Sequence, residues 1–106
     1  MNVEYINIAE DFSDMPYGRY DTDGPDNGSK FRIKYLLPAM LSADKVEVFM
    51  DGTMGYGSSF LDEAFAGLYR SNNIPKKTIK EKLIIHCSLQ YIVDSIFEYI
   101  DSAKRE

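Results

Sequence analysis

Two adjacent serines, Ser58 and Ser59, close a turn that holds Gly52, Gly55 and Gly57 in the stretch DGTMGYGSSF. Glycine permits positive φ and lets another group approach the backbone closely. A helix opening just after such a turn offers unpaired amides and about half a positive charge, a setting that stabilises an anion. Asp62 stands three residues beyond Ser59, so the spacing predicts an S-x-x-D capping box with Ser59 as N-cap. Ser58 then lies one position outside the helix, its hydroxyl without a structural duty. A phosphoryl group there would add roughly −1.5 to −2 charges and three acceptor oxygens without melting the helix.

Other residue types invite chemistry but lack the spacing for it. No Lys follows the last glycine of the turn, and the glycine intervals do not fit a dinucleotide fingerprint. A phosphate or nucleotide sensor built on residues 52–59 stays open as an alternative. Gly57-Ser58-Ser59-Phe60 is not a nucleophile elbow. The sole histidine, His86, falls inside a predicted strand with no evident acid partner, so no catalytic role is assigned. Cys87 adjoins it, and neighbours on a strand point to opposite faces, which disfavours a shared metal. Asp21, Asp23 and Asp26 sit close together, but Pro25 replaces a ligand and no distal Glu completes a calcium loop. Arg19 lies among these acids and is expected to pair with one of them or to reach the Ser58 turn. Lys76, Lys77, Lys80 and Lys82 read as a solvated face, or else as a contact for phosphate or an acidic partner.

The elements that must position these residues follow from periodicity. Residues 3–8 are β-rich. Residues 12–29 are dense in Gly, Pro, Asn and Ser and read as a loop, with a brief strand expected over 17–20. Ile33, Leu36, Leu37, Met40 and Leu41 mark the apolar face of a helix over about 29–42, capped by Ser29. Pro38 is expected to kink it or to mark where the helix restarts. Residues 45–51 form a strand with apolar side chains on both faces, as in a sheet covered on both sides. A helix over about 60–71 buries Phe60, Leu61, Ala64, Phe65, Leu68 and Tyr69. Pro75 opens a short helical turn, residues 83–87 form a buried strand, and a last helix runs over about 88–103 from a Ser88 cap. Alternation of this kind predicts a sheet with parallel neighbours and covering helices.

Composition bounds the function. The 106 residues are 44% hydrophobic and carry a net charge of −5, enough for one domain over residues 1–106 with a small core. Glu10, Asp11, Asp14, Asp21, Asp23 and Asp26 face only Arg19 in residues 10–27, which accounts for the whole net charge; the remainder is balanced. An acidic chain without a broad basic face is a poor nucleic-acid binder. No apolar run approaches a membrane span and the first residues do not read as a secretory signal. One cysteine cannot form an internal disulfide, which fits a reducing cytoplasm.

Three segments resemble a family: GRYDTDGPDNGSKFR at 18–32, LLPAM at 36–40, and DGTMGYGSSFLDEAFAGL at 51–68. The last resembles the signature of STAS domains, the fold of bacterial anti-sigma-factor antagonists. The chain as a whole is similar to the STAS-like family of unknown function. The resemblance implies a mixed, mainly parallel sheet of four to five strands. It also implies a non-enzymatic regulatory module that binds protein partners without a cofactor. Ser58 takes the phosphoacceptor position and Ser59 its neighbour. Gly57 replaces the motif's acid and Phe60 its glycine; with Gly55 these residues make up the expected partner-binding turn. The implied partner is a histidine-kinase-type ATP-binding protein or domain.

Overall fold

A computed structural model describes residues 1–105 of the chain. Three strands form one sheet in the order β1 (Val3–Asn7), β2 (Lys45–Phe49) and β3 (Leu83–His86). Both pairings are parallel; Ile6 lies opposite Val48 and Val46 opposite Leu83. The expectation of four to five strands in a mixed sheet is not met among the described residues. Residues 17–20, expected as a brief strand, make no ladder. Gly18 there has φ 79°, and the segment closes a loop on Asp23, Asp26 and Gly28 through backbone bonds.

Four helical runs connect or follow the strands. The first, α1, spans 28–42 as Gly28–Phe31, a π segment Arg32–Leu36, and Leu37–Ser42. The second, α2, spans 58–70 as Ser58–Leu61, a π segment Asp62–Ala66, and Gly67–Arg70. Then come α3 (Lys76–Lys82) and α4 (Gln90–Ser102). A single π turn, Ile8–Phe12, directly follows β1.

Right-handed crossovers that step in one direction across a parallel sheet place their helices on one face. Burial agrees: Ile6, Val46, Val48 and Leu83 are buried, whereas Tyr5, Ile84 and His86 on the other face are exposed. Along β2 the alternation is strict, so the expectation of a sheet covered on both sides is corrected. The core lies between the covered face and the helices. It includes Phe31, Leu36, Phe60, Phe65, Leu68 and Ile96.

Local chemistry explains the helix starts. Asn27, not Ser29, caps α1: its carbonyl oxygen accepts from the Lys30 amide at 2.9 Å. Its side-chain NH2 donates to Asp21 at 3.0 Å and to the Gly24 carbonyl at 2.9 Å, which makes the buried Asn27 the organiser of the acidic loop. At Pro38 the helix restarts, one of the two expected outcomes: the segment Leu37–Ser42 begins there with the proline in its first turn, after a widened turn. The Leu37 amide donates five residues back to Arg32, in the π segment that ends just before the proline. Such a bulge absorbs the loss of one amide donor. The apolar face of α1 is also narrower than expected, because Ile33 and Leu41 are exposed. Ser88 does not cap α4, whose N-cap is Leu89.

Candidate functional site

The Ser58 turn sits at the carboxyl end of β2, where open α/β sheets form their sites. Gly52 and Gly55 have φ of 101° and 119°, conformations that favour glycine. Tyr56 folds beneath the turn, and its hydroxyl donates to the Met50 carbonyl at 2.5 Å. Burial pushes the Tyr56 phenol up to about 12.

Helix α2 opens at Ser58, with Gly57 as N-cap and no side-chain capping bond. The predicted box between Ser59 and Asp62 does not form. Asp62 turns instead to Arg19, 2.6 Å away, and to Arg70, 3.2 Å away. Charge-assisted bonds to guanidinium outweigh a bond to one backbone amide. Ser58 and Ser59 both lie in the first turn of α2 and are exposed. Among the described residues neither hydroxyl has a hydrogen-bond partner. Phe60 is placed differently: its side chain is fully buried, within 6.5 Å ring-to-ring of Phe12, Phe31 and Tyr56. Phe60 is thus buried as the apolar stripe of its helix predicts, and its inclusion in the partner-binding turn is corrected. Outward exposure at this helix start belongs to Gly57, Ser58 and Ser59.

The acidic loop folds against this end of the sheet. Tyr17, Gly18, Arg19 and Asp23 form one wall of a cleft of about 390 Å³, and residues 57–60 form the other. Asp23 shapes its own wall by accepting from the Arg19 amide at 2.9 Å and the Tyr20 amide at 3.2 Å. These two bonds hold its carboxyl below the usual range. Arg19, anchored on Asp62, has its guanidinium pKa raised, chiefly by that bond. Asp21, Asp23 and Asp26, whose spacing fails the calcium-loop pattern, have separate duties. Asp21 binds Asn27, Asp23 binds the backbone, and Asp26 accepts from Ser13 at 2.8 Å. Among the described residues no group of three or more His, Cys, Asp or Glu is placed to hold a metal.

Sequence reasoning missed the charges beneath the cleft. Arg32 and Glu63, one in each long π segment, are buried and pair at 2.8 Å. Arg32 also donates to the Glu63 carbonyl. Arg19 and Arg70 approach the other Glu63 oxygen at 3.8 and 3.7 Å. Gly67 makes the room: a Cβ there would lie 2.1 Å from the Arg32 guanidinium. Gly28 lets α1 approach α2, since a Cβ there would lie 2.8 Å from the Phe60 carbonyl oxygen. The sequence carried no signal for this pair, because Arg32 and Glu63 both fall off the apolar faces predicted for their helices.

A second cleft of about 330 Å³ lies between the glycine turn and the end of β3, lined by Asp51, Gly55, Tyr56, Cys87 and Leu89 among others. Asp51 accepts from the Ser88 amide at 3.0 Å and the Ser88 hydroxyl at 3.1 Å, and the amide above all holds its carboxyl low. Burial pushes the Cys87 thiol up, so it is not an activated thiolate. His86 has the acid partner that the sequence did not reveal. Its Nε2 lies 2.6 Å from Glu47, and its ring stacks on Phe49 at 4.4 Å, all on the uncovered sheet face. The structure does not bring His86 to Ser58, whose cleft has no histidine in its lining.

Among the described residues no helix is long and apolar enough to cross a membrane. No curated protein and no solved structure matches the chain. Residues 27–88, from the cap of α1 through both serines to the end of β3, match the family model described as STAS-like domain of unknown function (DUF4325). That match spans more than half of the chain and includes α1, β2, α2 and one wall of the cleft, residues 57–60, and the chain belongs to this STAS-like family.

Proposed function

We propose that the chain is a regulatory protein-binding module of the anti-sigma-factor-antagonist type, switched by phosphorylation of Ser58. The observation that supports this reading is an exposed, unpartnered hydroxyl in the first turn of α2, at the rim of a cleft. Unmodified Ser58 admits a histidine-kinase-type ATP-binding partner to the turn and the first residues of α2. A phosphoryl group brings roughly −1.5 to −2 charges and three acceptor oxygens into a cleft of about 390 Å³. It obstructs the mouth of the cleft and changes the surface, and the partner leaves. Chemistry belongs to the partner; this chain is substrate and ligand rather than enzyme, needs no cofactor, and acts in the cytoplasm.

The alternative, a phosphate or nucleotide sensor on residues 52–59, has less support. The glycine turn lines a cleft that contains the Asp51 carboxylate, the wrong charge for a phosphate.

Labelled ATP and a histidine-kinase-type protein from the same genome test the proposal. Label is expected on the wild type and on Ser59→Ala, and absent from Ser58→Ala. Label that persists in Ser58→Ala, or its absence from the wild type, rejects the switch. A rise in melting temperature with nucleotide alone would favour the sensor.

A further inference from the structure

We infer that the carboxyl end of the sheet is a docking surface for a cationic, apolar-anchored protein segment, in which Met15, Tyr17 and Met54 take the partner's apolar side chains and Asp14 and Asp51 meet its Arg or Lys. This inference deepens the reading of Ser58 as a partner-binding turn and rests on it for location.

Large apolar side chains cluster here without cover: Met15 is 64% exposed, Tyr17 67%, Met54 79% and Leu89 48%. Continuity is set by contacts. The Met54 amide donates to the Asp14 carbonyl at 2.7 Å, joining the acidic loop to the glycine turn. Tyr17 forms a wall of the Ser58 cleft, and Leu89 borders the neighbouring cleft below the glycine turn. Tyrosine and methionine are enriched in interface cores, and methionine adapts its shape to what it meets.

The side chains are exposed but their backbones are held. Met54 stands between two positive-φ glycines, with Thr53 accepting from the Gly55 amide at 3.2 Å. The Met15 amide donates to Ser13 at 3.0 Å and the Tyr17 amide to Asp26 at 2.9 Å. A pre-ordered backbone lowers the entropy lost on binding.

Charge names the occupant. The segments that build this end, 13–27, 50–60 and 87–90, carry Asp14, Asp21, Asp23, Asp26 and Asp51 against Arg19 alone. Arg19 is engaged by Asp62 at 2.6 Å. Asp14, Asp23 and Asp51 are exposed. Two other apolar areas, Tyr5 with Ile84 on the open sheet face and Ile33 with Leu41 on α1, lie beside charges of both signs, including Lys45 with Glu47 and Lys30 with Asp21. The carboxyl end combines exposed anchors with a predominance of one sign of charge, the complementarity that selects partners and speeds encounter.

One consequence concerns Ser58. For a cationic partner an added negative charge is attractive, so release on phosphorylation has to come from steric obstruction at the mouth of the cleft. Ser58→Asp, which adds charge with little bulk, is expected to keep binding. Ser58→Trp is expected to lose it.

The test uses the full chain, immobilised and panned against a random peptide library displayed on phage. Enriched peptides are expected to carry Arg or Lys around Leu, Phe or Met. Their binding should fall about tenfold or more in Met54→Asp and in Tyr17→Ala, and again when NaCl rises from about 50 to about 500 mM. Both replaced side chains are exposed, and an unchanged melting temperature verifies the fold. Acidic or uncharged consensus peptides overturn the inference. So does binding that ignores Met54→Asp but is lost in Tyr5→Ser, or recovery of no peptide above background. Cationic peptides on this patch without phosphotransfer to Ser58 remove the switch and leave the docking surface standing. Labelled Ser58 without such peptides does the reverse.

Discussion

The serine-bearing end of the sheet and the lysine-rich segment before β3 look equally available in the sequence, and the fold treats them in opposite ways. Lys76 donates to the Asp101 carbonyl at 2.7 Å and Lys80 to the Asp101 carboxylate at 2.9 Å, both at the last turn of α4. Lys82 donates to the Met40 carbonyl at 2.8 Å near the end of α1. These cations sit on the carbonyl ends of two helices, where they complement the dipole and satisfy orphan acceptors. Lys77, paired loosely with Glu81 at 3.9 Å, faces water as a solvated lysine would. At the opposite end, Ser58 and Ser59 are exposed and unpartnered while the charges beneath them are locked together. A group available for binding is therefore found by asking which groups the fold leaves unused. Residue type alone does not answer that.

The comparison is broken most forcefully from below. Glu63→Gln strips the buried Arg32 of its ionised partner. The expected loss is about 3–5 kcal/mol, the cost of an uncompensated buried charge, read from urea unfolding. Replacing Arg32 by Met and Glu63 by Leu together should cost much less than Glu63→Gln alone. If Glu63→Gln costs under about 1 kcal/mol, the network is not what holds the serine turn on its scaffold.

A smaller effect sharpens the role of Tyr56 under the glycine turn. Its folded-state pKa of about 12 lies above the unfolded value near 10. The stabilising contribution is therefore complete below about pH 10 and is lost as pH climbs toward about 12. Tyr56→Phe should remove that part of the alkaline decline. It should also cost about 1 kcal/mol at neutral pH through the lost bond to the Met50 carbonyl. An unchanged alkaline limb in thermal melts would show that the phenol is solvated.

The smallest effects compare the two ends directly. Lys82→Ala should cost about 0.5–1 kcal/mol through the lost carbonyl contact on α1. Ser58→Ala and Ser59→Ala should stay within about 0.5 kcal/mol of the wild type. Were either serine the more costly replacement, its hydroxyl would have a structural duty and the contrast between the ends would fail.

What was readable along the chain was local and periodic. The order of strands and helices followed from it, as did the glycine turn opening into α2 and the start of α3 beside Pro75. Apolar spacing of two or near four encodes burial within one element, and turn residues act over a few positions. Helix boundaries were read one or two residues off at Ser29, Phe60 and Ser88, because the caps are decided by competing partners. Asn27 prevailed at α1, while Asp62 and Ser88 were drawn away to Arg19 and Asp51.

Tertiary structure alone decided the rest. The Arg32–Glu63 pair joins residues 31 apart, His86–Glu47 residues 39 apart, and Arg19–Asp62 residues 43 apart. No local pattern names such partners, because a charged side chain has a partner only once two distant elements have been packed against each other. The same holds for the limit of three strands and for the open face of the sheet. The residues themselves put a hydroxyl pair at a helix start and Phe60 on its apolar stripe; packing determined that both serines face water.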